Sequence, residues 1–500
     1  RRAYRRIGVP QPVQRSLFIH GSNRRGVREL AESLASSSGK PWLDLTDRAQ
    51  PELSALLDPK REPSIVALHE TALLSRLTRL SVLDQGILVS VLPGSGEAVP
   101  SSSEAAALEA LRGPLLREAH AAVAAASKPE EATQRLLALW RRAPIAVAAG
   151  ERSYCVDIGS QLIESLLPTA VAGATAVLLV TDENVEPLHG HRARQALDHA
   201  GIRHTAVVLP AGEEHKHLGT PQRIWQAALD MGLDRRGVLV ALGGGVVTDI
   251  SGFAAASWMR GIRWVGIPTT LLAMVDASVG GKTGVDFGAA KNAVGAFWQP
   301  SAVLCDADTL STEPIRGFRG ALAEVIKTGL LGDEEILRLM ERHLSQVNGR
   351  DPALVADLVR RCVRVKARVV SLDERESGLR ATLNLGHTVG HALEADGKFV
   401  RWTHGEAVSL GLVAALGVGE LLGRTPSALL ERTVNLLSAV GLPVELEADA
   451  LERSLRLLGH DKKRDGSRVK FVLCPEAGRA EVVPLELAEL SALVPRLRAR

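Results

Sequence analysis

A continuous apolar run, Val238–Leu242, ends in three successive glycines, Gly243-Gly244-Gly245, and Val246-Val247-Thr248-Asp249 then opens a helical stretch. No other feature restricts the fold as much. A run without polar alternation has to be covered on both faces, as in a central strand of a parallel sheet flanked by helices. Similar short runs at Ala176–Thr181, His204–Leu209 and Trp264–Ile267 are separated by helical segments such as Thr220–Met231. Residues 143–310 are therefore expected to form an α/β unit with a mainly parallel sheet. Glycines at a strand end also suit a phosphate, because the backbone can approach closely and the exposed N–H groups and helix dipole favour an anion. The spacing is not GxGxxG, since Thr248 stands where the third glycine would be, and a plain tight strand-to-helix turn would use the same residues.

Two neighbouring loops bear on that choice. Asp182 and Asn184 follow the run Ala176–Thr181, and Gly212-Glu213-Glu214-His215-Lys216 follows another strand end. One Asp after a strand is more often a turn residue or helix cap. Three such loops at carboxyl ends of a sheet suggest one nucleotide crevice.

The flanking regions read differently. Before Pro144, Leu17–His20, Ser64–Leu68 and Gly86–Leu92 read as buried strands. Gly21–Gly26 reads as a turn, Val27–Ser36 as a helix and Lys128–Arg142 as a closing helix, so residues 1–142 form a further α/β block. Residues 311–500 are mostly helical, with helices at Gly320–Leu330, Asp333–Leu344, Ala353–Val370, Thr388–Ala395, Glu406–Gly423 and Ser427–Val440. The next strand comes only at Val469–Leu473.

Chemistry-bearing residues concentrate in that last region. Glu324 and Lys327 share one helix face, as do His387 and His391. His404-Gly405-Glu406 begins another helix. A carboxylate with two or three imidazoles suits a catalytic zinc site with an open position, although a single helical His is more often a surface or satisfied core residue. The segments Asp276–Gly284 and Gly288–Gly295 are glycine-rich and carry Lys282, Lys291 and Asn292. They read as loops suited to an anionic substrate, or as flexible loops with solvated lysines. The net charge of only +3 over 500 residues implies no strongly basic face, so a nucleic-acid reading starts weak. The 4 Cys are dispersed with no CxxC, which suits a reducing cytoplasm, and no apolar run is long enough to span a membrane. The first residue is Arg rather than Met, which leaves room for a segment ahead of it.

Five blocks in order resemble the 3-dehydroquinate synthase family. They are Gly243–Asp249, Pro268–Gly284, Glu324–Lys327, Asn384–His391 and His404–Glu406. The resemblance runs from about Ile145 to the end, roughly two-thirds of the chain. It implies a Rossmann-like NAD domain followed by a helical metal domain. It also implies conversion of 3-deoxy-D-arabino-heptulosonate 7-phosphate to 3-dehydroquinate and phosphate, a shikimate-pathway step. Transient oxidation by NAD, phosphate elimination, re-reduction and intramolecular aldol closure make up that reaction. By the same resemblance Glu324, His387 and His404 would hold one divalent metal, usually zinc and sometimes cobalt. Asp182, Asn184, Glu213, Lys216, Gly244, Gly245, Val246, Asp249, Thr269 and Thr270 would contact NAD, with Asp276, Lys282 and Lys291 also within its reach. The substrate shell would comprise Asp276, Lys282, Lys291, Asn292, Lys327, Lys366, Glu376, Arg380, Asn384, His391 and Lys462. Arg260 would bind phosphate across a homodimer. Asp286 stands where the family usually has Asn, with its neighbours keeping the pattern.

Residues 16–142 are similar to shikimate kinase, a P-loop fold, through Leu17–His20, Gly21–Gly26 and Asp44–Asp47. Val27 and Arg28 stand where the P-loop needs Lys and then Ser or Thr, and His69-Glu70-Thr71 replaces a later glycine run. This block is expected to lack kinase activity and to be structural or to tether other shikimate-pathway enzymes; residual kinase activity is the alternative. Three other readings remain for the whole chain: an aminocyclitol-type sugar phosphate cyclase, a metal-dependent polyol dehydrogenase, and a scaffold without activity.

Overall fold

The computed structural model describes residues 16–21, 24–45, 64–69, 86–92, 121–124, 133, 136, 142–288, 290–397, 400–447, 449–453, 464–465 and 468–499. Near the amino end, strands β1 (Ser16–Gly21), β2 (Trp42–Leu45), β3 (Ile65–His69), β4 (Gly86–Leu92) and β5 (Ala121–Ala124) form a parallel sheet in the order β2-β3-β1-β4-β5. Helix α1 (Arg24–Ser38) buries Val27, Leu30, Ala31 and Leu34 against Leu17, Ile19 and Val89. The expected helix Lys128–Arg142 lies almost wholly outside the described residues.

A second sheet follows. Its strands are β6 (Ile145–Val147), β7 (Tyr154–Gly159), β8 (Val177–Asp182), β9 (His204–Leu209), β10 (Val238–Gly243), β11 (Arg263–Pro268) and, beyond the hairpin β12 (Lys282–Phe287) and β13 (Ala290–Phe297), β14 (Ala302–Asp306). The order is β6-β7-β14-β11-β10-β8-β9, and every pairing is parallel except β6 with β7. All of β10 is buried between β8 and β11, as its unbroken apolar run requires. Helices α2 (Gly219–Asp230) and α3 (Gly245–Ser257) cover the sheet, and α3 starts directly from the glycines that end β10.

The glycine-rich stretch after Asp276 is not a pair of loops. A π-helical turn at Ala273–Ala277 leads into the antiparallel hairpin β12–β13. A Cβ on Gly295 would lie 2.1 Å from the Thr283 carbonyl oxygen, and one on Gly284 would lie 2.6 Å from that of Val294. Glycine here permits two backbones to pack closely, and it gives Lys282 and Lys291 an ordered platform.

The remaining residues form helices α4 (Ile315–Leu331), α5 (Pro352–Leu372), α6 (His387–Asp396), α7 (His404–Leu421) and α8 (Ser427–Ala439), then a small sheet of β15 (Arg464–Asp465), β16 (Arg468–Glu476) and β17 (Arg479–Glu486). Helix α7 is buried over most of its surface and is the central helix of this region. One core joins sheet and helices, since Val156, Met274, Phe318, Leu322, Val359 and Leu416 belong to a single cluster. Among the described residues no helix is long and apolar enough to cross a membrane.

Candidate active site

Glycines decide how closely the three central helices approach. A Cβ on Gly405, at the start of α7, would lie 2.0 Å from the carbonyl oxygen of Gly320 on α4. A Cβ on Gly411 would lie 2.0 Å from the carbonyl oxygen of Gly386, which precedes α6 in a left-handed conformation. These crossings bring Glu324 on α4, His387 on α6 and His404 on α7 to one point. The start of α7 is fixed by a capping box: the Thr403 side chain accepts from the Glu406 N–H while the Glu406 carboxylate accepts from the Thr403 N–H. Glu406, although two residues from His404, therefore serves the helix terminus.

Glu324 Oε1 lies 3.3 Å from His387 Nε2 and 3.4 Å from His404 Nε2. Ligands about 2.0–2.1 Å from a tetrahedral zinc ion lie about 3.3 Å from one another. That oxygen is buried and accepts no hydrogen bond among the described residues. The other ring nitrogens are committed: His387 Nδ1 is 3.1 Å from the Leu385 carbonyl oxygen and His404 Nδ1 is 3.4 Å from Glu394 Oε2. A carbonyl or carboxylate can only accept, so each pairing makes Nδ1 an N–H donor and leaves Nε2 as the ring atom that faces Glu324. The residues thus fit a divalent cation. Burial opposes the charge on Glu324, but Lys327 and His404 hold its carboxyl down to about 2. Burial also opposes the imidazolium of His404, yet Glu324 and Glu394 raise it to about 10.

Charged side chains surround this point in matched pairs. Lys327 Nζ is 2.5 Å from Glu324 Oε2, on the oxygen turned away from the imidazoles. Lys366 on α5 donates to the backbone and the carboxylate of Asp276. Burial opposes ionisation of Asp276, but Lys366 and Lys327 hold it at about 2; burial pulls Lys366 down against the attraction of Asp276. Lys282 donates to Glu376, whose other oxygen accepts from Asn384 Nδ2 at 2.9 Å. Lys291 Nζ lies 3.4 Å from Glu213 and 3.8 Å from Glu394, bridging the loop after β9 to α6. The His391 ring centroid is 5.1 Å from that of His387 and 6.1 Å from that of His404. Arg380 is buried, donating to the Gly280 and Glu374 carbonyls.

The glycine turn after β10 adjoins this cluster. A Cβ on Gly245 would meet Ala277 at 3.4 Å, and Ala277 follows Asp276. A Cβ on Gly244 would meet Thr270 at the same distance, and the buried Thr269 hydroxyl has no partner among the described residues. Lys216 Nζ donates to Asp249 Oδ2 at 2.7 Å, beside Val246 on the first turn of α3. Asp182 Oδ1 accepts the N–H groups of Asn184 and Val185, both at 2.9 Å, so it also makes the turn that presents Asn184. Asp286 accepts from the Asn292 N–H at 2.6 Å, which holds Asn292 in a left-handed backbone conformation. One residue stands apart: Arg260 is exposed beyond the far end of α3, about 20 Å from the glycine turn at 1.5 Å per residue. Lys462 lies outside the described residues.

Two acids escaped sequence reasoning. Glu394 is one helical turn beyond His391. Asp373 follows α5 and accepts from the Ser377, Gly378 and Arg380 N–H groups and the Ser377 hydroxyl at 2.7–2.9 Å. The spacing of Glu394 from His387 and His391, which puts it near their face of the helix, was the available signal for the first.

Comparisons with known proteins bear on the whole arrangement. The family models described as 3-dehydroquinate synthase N-terminal and C-terminal match residues 206–320 and 321–464. A 3-dehydroquinate synthase of Bordetella pertussis is 45% identical over 336 residues, 67% of this chain and 94% of that protein. A 2-epi-5-epi-valiolone synthase of Streptomyces hygroscopicus, solved with NAD+ and Zn2+ bound, superposes with TM-score 0.63 at 30% identity, over 69% of this chain and 97% of its own. A 2-deoxy-scyllo-inosose synthase shares the fold, with TM-score 0.64 at 24% identity over 71% of this chain and 99% of its own.

Proposed function

Because the chain belongs to the 3-dehydroquinate synthase family, its main function is the shikimate-pathway step that yields 3-dehydroquinate, and we propose that Glu324, His387 and His404 hold one divalent cation, zinc or cobalt, beside NAD seated on the glycine turn. The observation that carries this reading is the buried Oε1 of Glu324 facing two imidazole Nε2 atoms. When bound, NAD supplies a reversible hydride acceptor and the cation a Lewis acid for the substrate's reacting hydroxyl.

The chain's own residues do the remainder. Gly244, Gly245, Val246, Thr269 and Thr270 line the phosphate-facing edge, with Asp182, Asn184, Glu213, Lys216 and Asp249 around it. Lys327 occupies Glu324 Oε2 and so turns Oε1 toward the imidazoles. Lys282, Lys291 and Lys366 offer ammonium groups to a carboxylate and a phosphate, each positioned beforehand by an acid: Glu376, Glu394 or Asp276. Asn292, Asn384, Arg380, His391 and Lys462 complete the shell, with Arg380 acting chiefly on the Gly280 loop. Such preorganised charge orients an anionic substrate and stabilises charge that develops as phosphate leaves.

We further propose that Arg260, exposed beyond α3, serves phosphate from a second copy of the chain in a homodimer, and that the enzyme acts in the cytoplasm. Residues 1–142 form a P-loop-like block without kinase activity, ahead of an NAD unit at 143–310 and a helical unit at 311–500. Supporting the loss of kinase chemistry, Val27 points into the core and Arg28 Nε is 2.6 Å from Asp44, where a P-loop would set a phosphate-binding lysine and a magnesium-binding hydroxyl.

The deciding experiment follows phosphate release from 3-deoxy-D-arabino-heptulosonate 7-phosphate with and without chelator and added NAD. Release that needs both groups, without NADH accumulation, is expected. Preference for sedoheptulose 7-phosphate, or net NADH formation, defeats the reading.

A further inference from the structure

His387 and His404 face the same carboxylate oxygen but are held from behind by different groups. Behind His387 is a backbone carbonyl, that of Leu385. Behind His404 is the carboxylate of Glu394, which is almost fully buried, at 4% exposure. A buried carboxylate is retained only where it is matched. Glu394 is matched on two sides, by His404 Nδ1 at Oε2 and by Lys291 Nζ, 3.8 Å from Oε1. His404 also needs this support more than His387 does. It is the first residue of α7, its side chain is 31% exposed against 10% for His387, and packing alone constrains its ring less.

We propose that Glu394 is a positioning residue for the cation, accepting the Nδ1–H of His404 so that Nε2 is turned toward Glu324 Oε1. The inference rests on the reading of Glu324, His387 and His404 as the ligand set. A carboxylate behind a ligating imidazole fixes the tautomer and ring orientation and raises ligand basicity, and loss of such a partner typically weakens metal binding by 10–100-fold. Lys291 moderates the charge on Glu394, and through Glu213 it ties this support to the loop bordering the crevice. His391, Glu394 and His404 also offer ligand atoms within 4.8 Å of one another, so the rival role for Glu394 is direct ligation of a second ion.

The test uses the full chain stripped with chelator and titrated with Co(II), reading the dissociation constant by competition with a chromophoric chelator, the number of ions bound, and the ligand-field spectrum. For wild type, one ion per chain is expected. Glu394→Gln and Glu394→Ala should each bind Co(II) 10–100-fold more weakly with an altered spectrum, and Glu394→Asp should recover part of the affinity. The melting temperature of each metal-free variant shows whether it folds; should the first two not fold, Glu394→Asp alone is expected to show a weaker constant and a shifted spectrum. Unchanged affinity and spectrum in the folded variants overturn the proposal. So does a second ion in wild type that Glu394→Gln abolishes. Failure of wild type to bind Co(II) at all instead defeats the ligand reading on which the proposal stands.

Discussion

Replacing Asp373 with Asn should disable the site without unfolding the protein. Asp373 follows α5, and its two oxygens divide four donors: Oδ1 takes the Ser377 N–H at 2.8 Å and hydroxyl at 2.9 Å, and Oδ2 takes the Gly378 and Arg380 N–H groups at 2.7 and 2.9 Å. Burial works against its charge, but those backbone N–H groups outweigh it and hold the carboxyl well below the usual range, so the interaction persists across neutral pH. The loop it ties carries Glu376, which sits at φ 59 and grips Lys282 and Asn384, and Arg380, which grips the Gly280 carbonyl. Asparagine keeps one acceptor oxygen and turns an NH2 toward two N–H donors. Hydrogen bonds to a charged group contribute about 1.5–3 kcal/mol each. Losing two, discounted because water can reach a surface loop, removes about 3 kcal/mol from the loop's order; the strain of the left-handed Glu376, about 1 kcal/mol, is present in wild type as well and lowers the loop's reserve without adding to that difference. If that order is needed to place Lys282 and Arg380, kcat/KM falls on the order of 10²-fold, since 1.4 kcal/mol is tenfold. The measurements are steady-state phosphate release and amide exchange across residues 373–384. A kcat/KM within threefold of wild type, together with unchanged exchange, would refute the reasoning.

Gly405→Ala should push α4 and α7 apart, since the new methyl would lie 2.0 Å from the Gly320 carbonyl oxygen. A loss of about 1–3 kcal/mol in chemical denaturation is expected, with a larger relative loss of Co(II) affinity because His404 moves with its neighbour; retained affinity would count against the crossing as the device that gathers the ligands. Glu313 is buried, which pushes its carboxyl up to about 7 against the pull of the Leu271 N–H and Arg350. The native state then binds more protons than the unfolded one between pH about 4.5 and about 7, so stability is full below that window and falls as pH rises through it, by on the order of 3 kcal/mol. Glu313→Gln, whose amide oxygen can still accept from Leu271, should flatten that fall in urea melts at pH 5 and pH 7.5, and an undiminished slope would reject the assignment. Arg260→Ala and His387→Ala, each expected to be inactive alone, should regain activity when refolded as a mixture if Arg260 acts across a dimer. A mixture as inactive as its parts, under conditions where mixed dimers form, removes that role.

The sequence shows the nucleotide half more openly than the catalytic half, for a physical reason. Strand β10 and its glycines are consecutive in the chain, so the apolar run and the turn declare themselves together. The ligand set was legible only as three motifs whose meeting no local pattern requires. What brings them together is the absence of side chains at Gly405 and Gly411, and glycines within a helical run read as weak helix formers before the crossing is seen. The same ambiguity turned Gly284 and Gly295 into expected loops, although both mark contact between strands. Strands β7 and β14 went unread as well; β7 carries Asp157 among its apolar residues, and β14 is short. Asp373 and Glu394 lie deeper still. Each acts on a group fixed by the fold, a set of N–H donors or the back of an imidazole, and a carboxylate of that kind shows its purpose only when its partners have positions. Chain-adjacent chemistry can therefore be read from composition and period. Chemistry assembled by helix crossings depends on which backbones can touch, and here four glycines set that: Gly320 against Gly405 and Gly386 against Gly411.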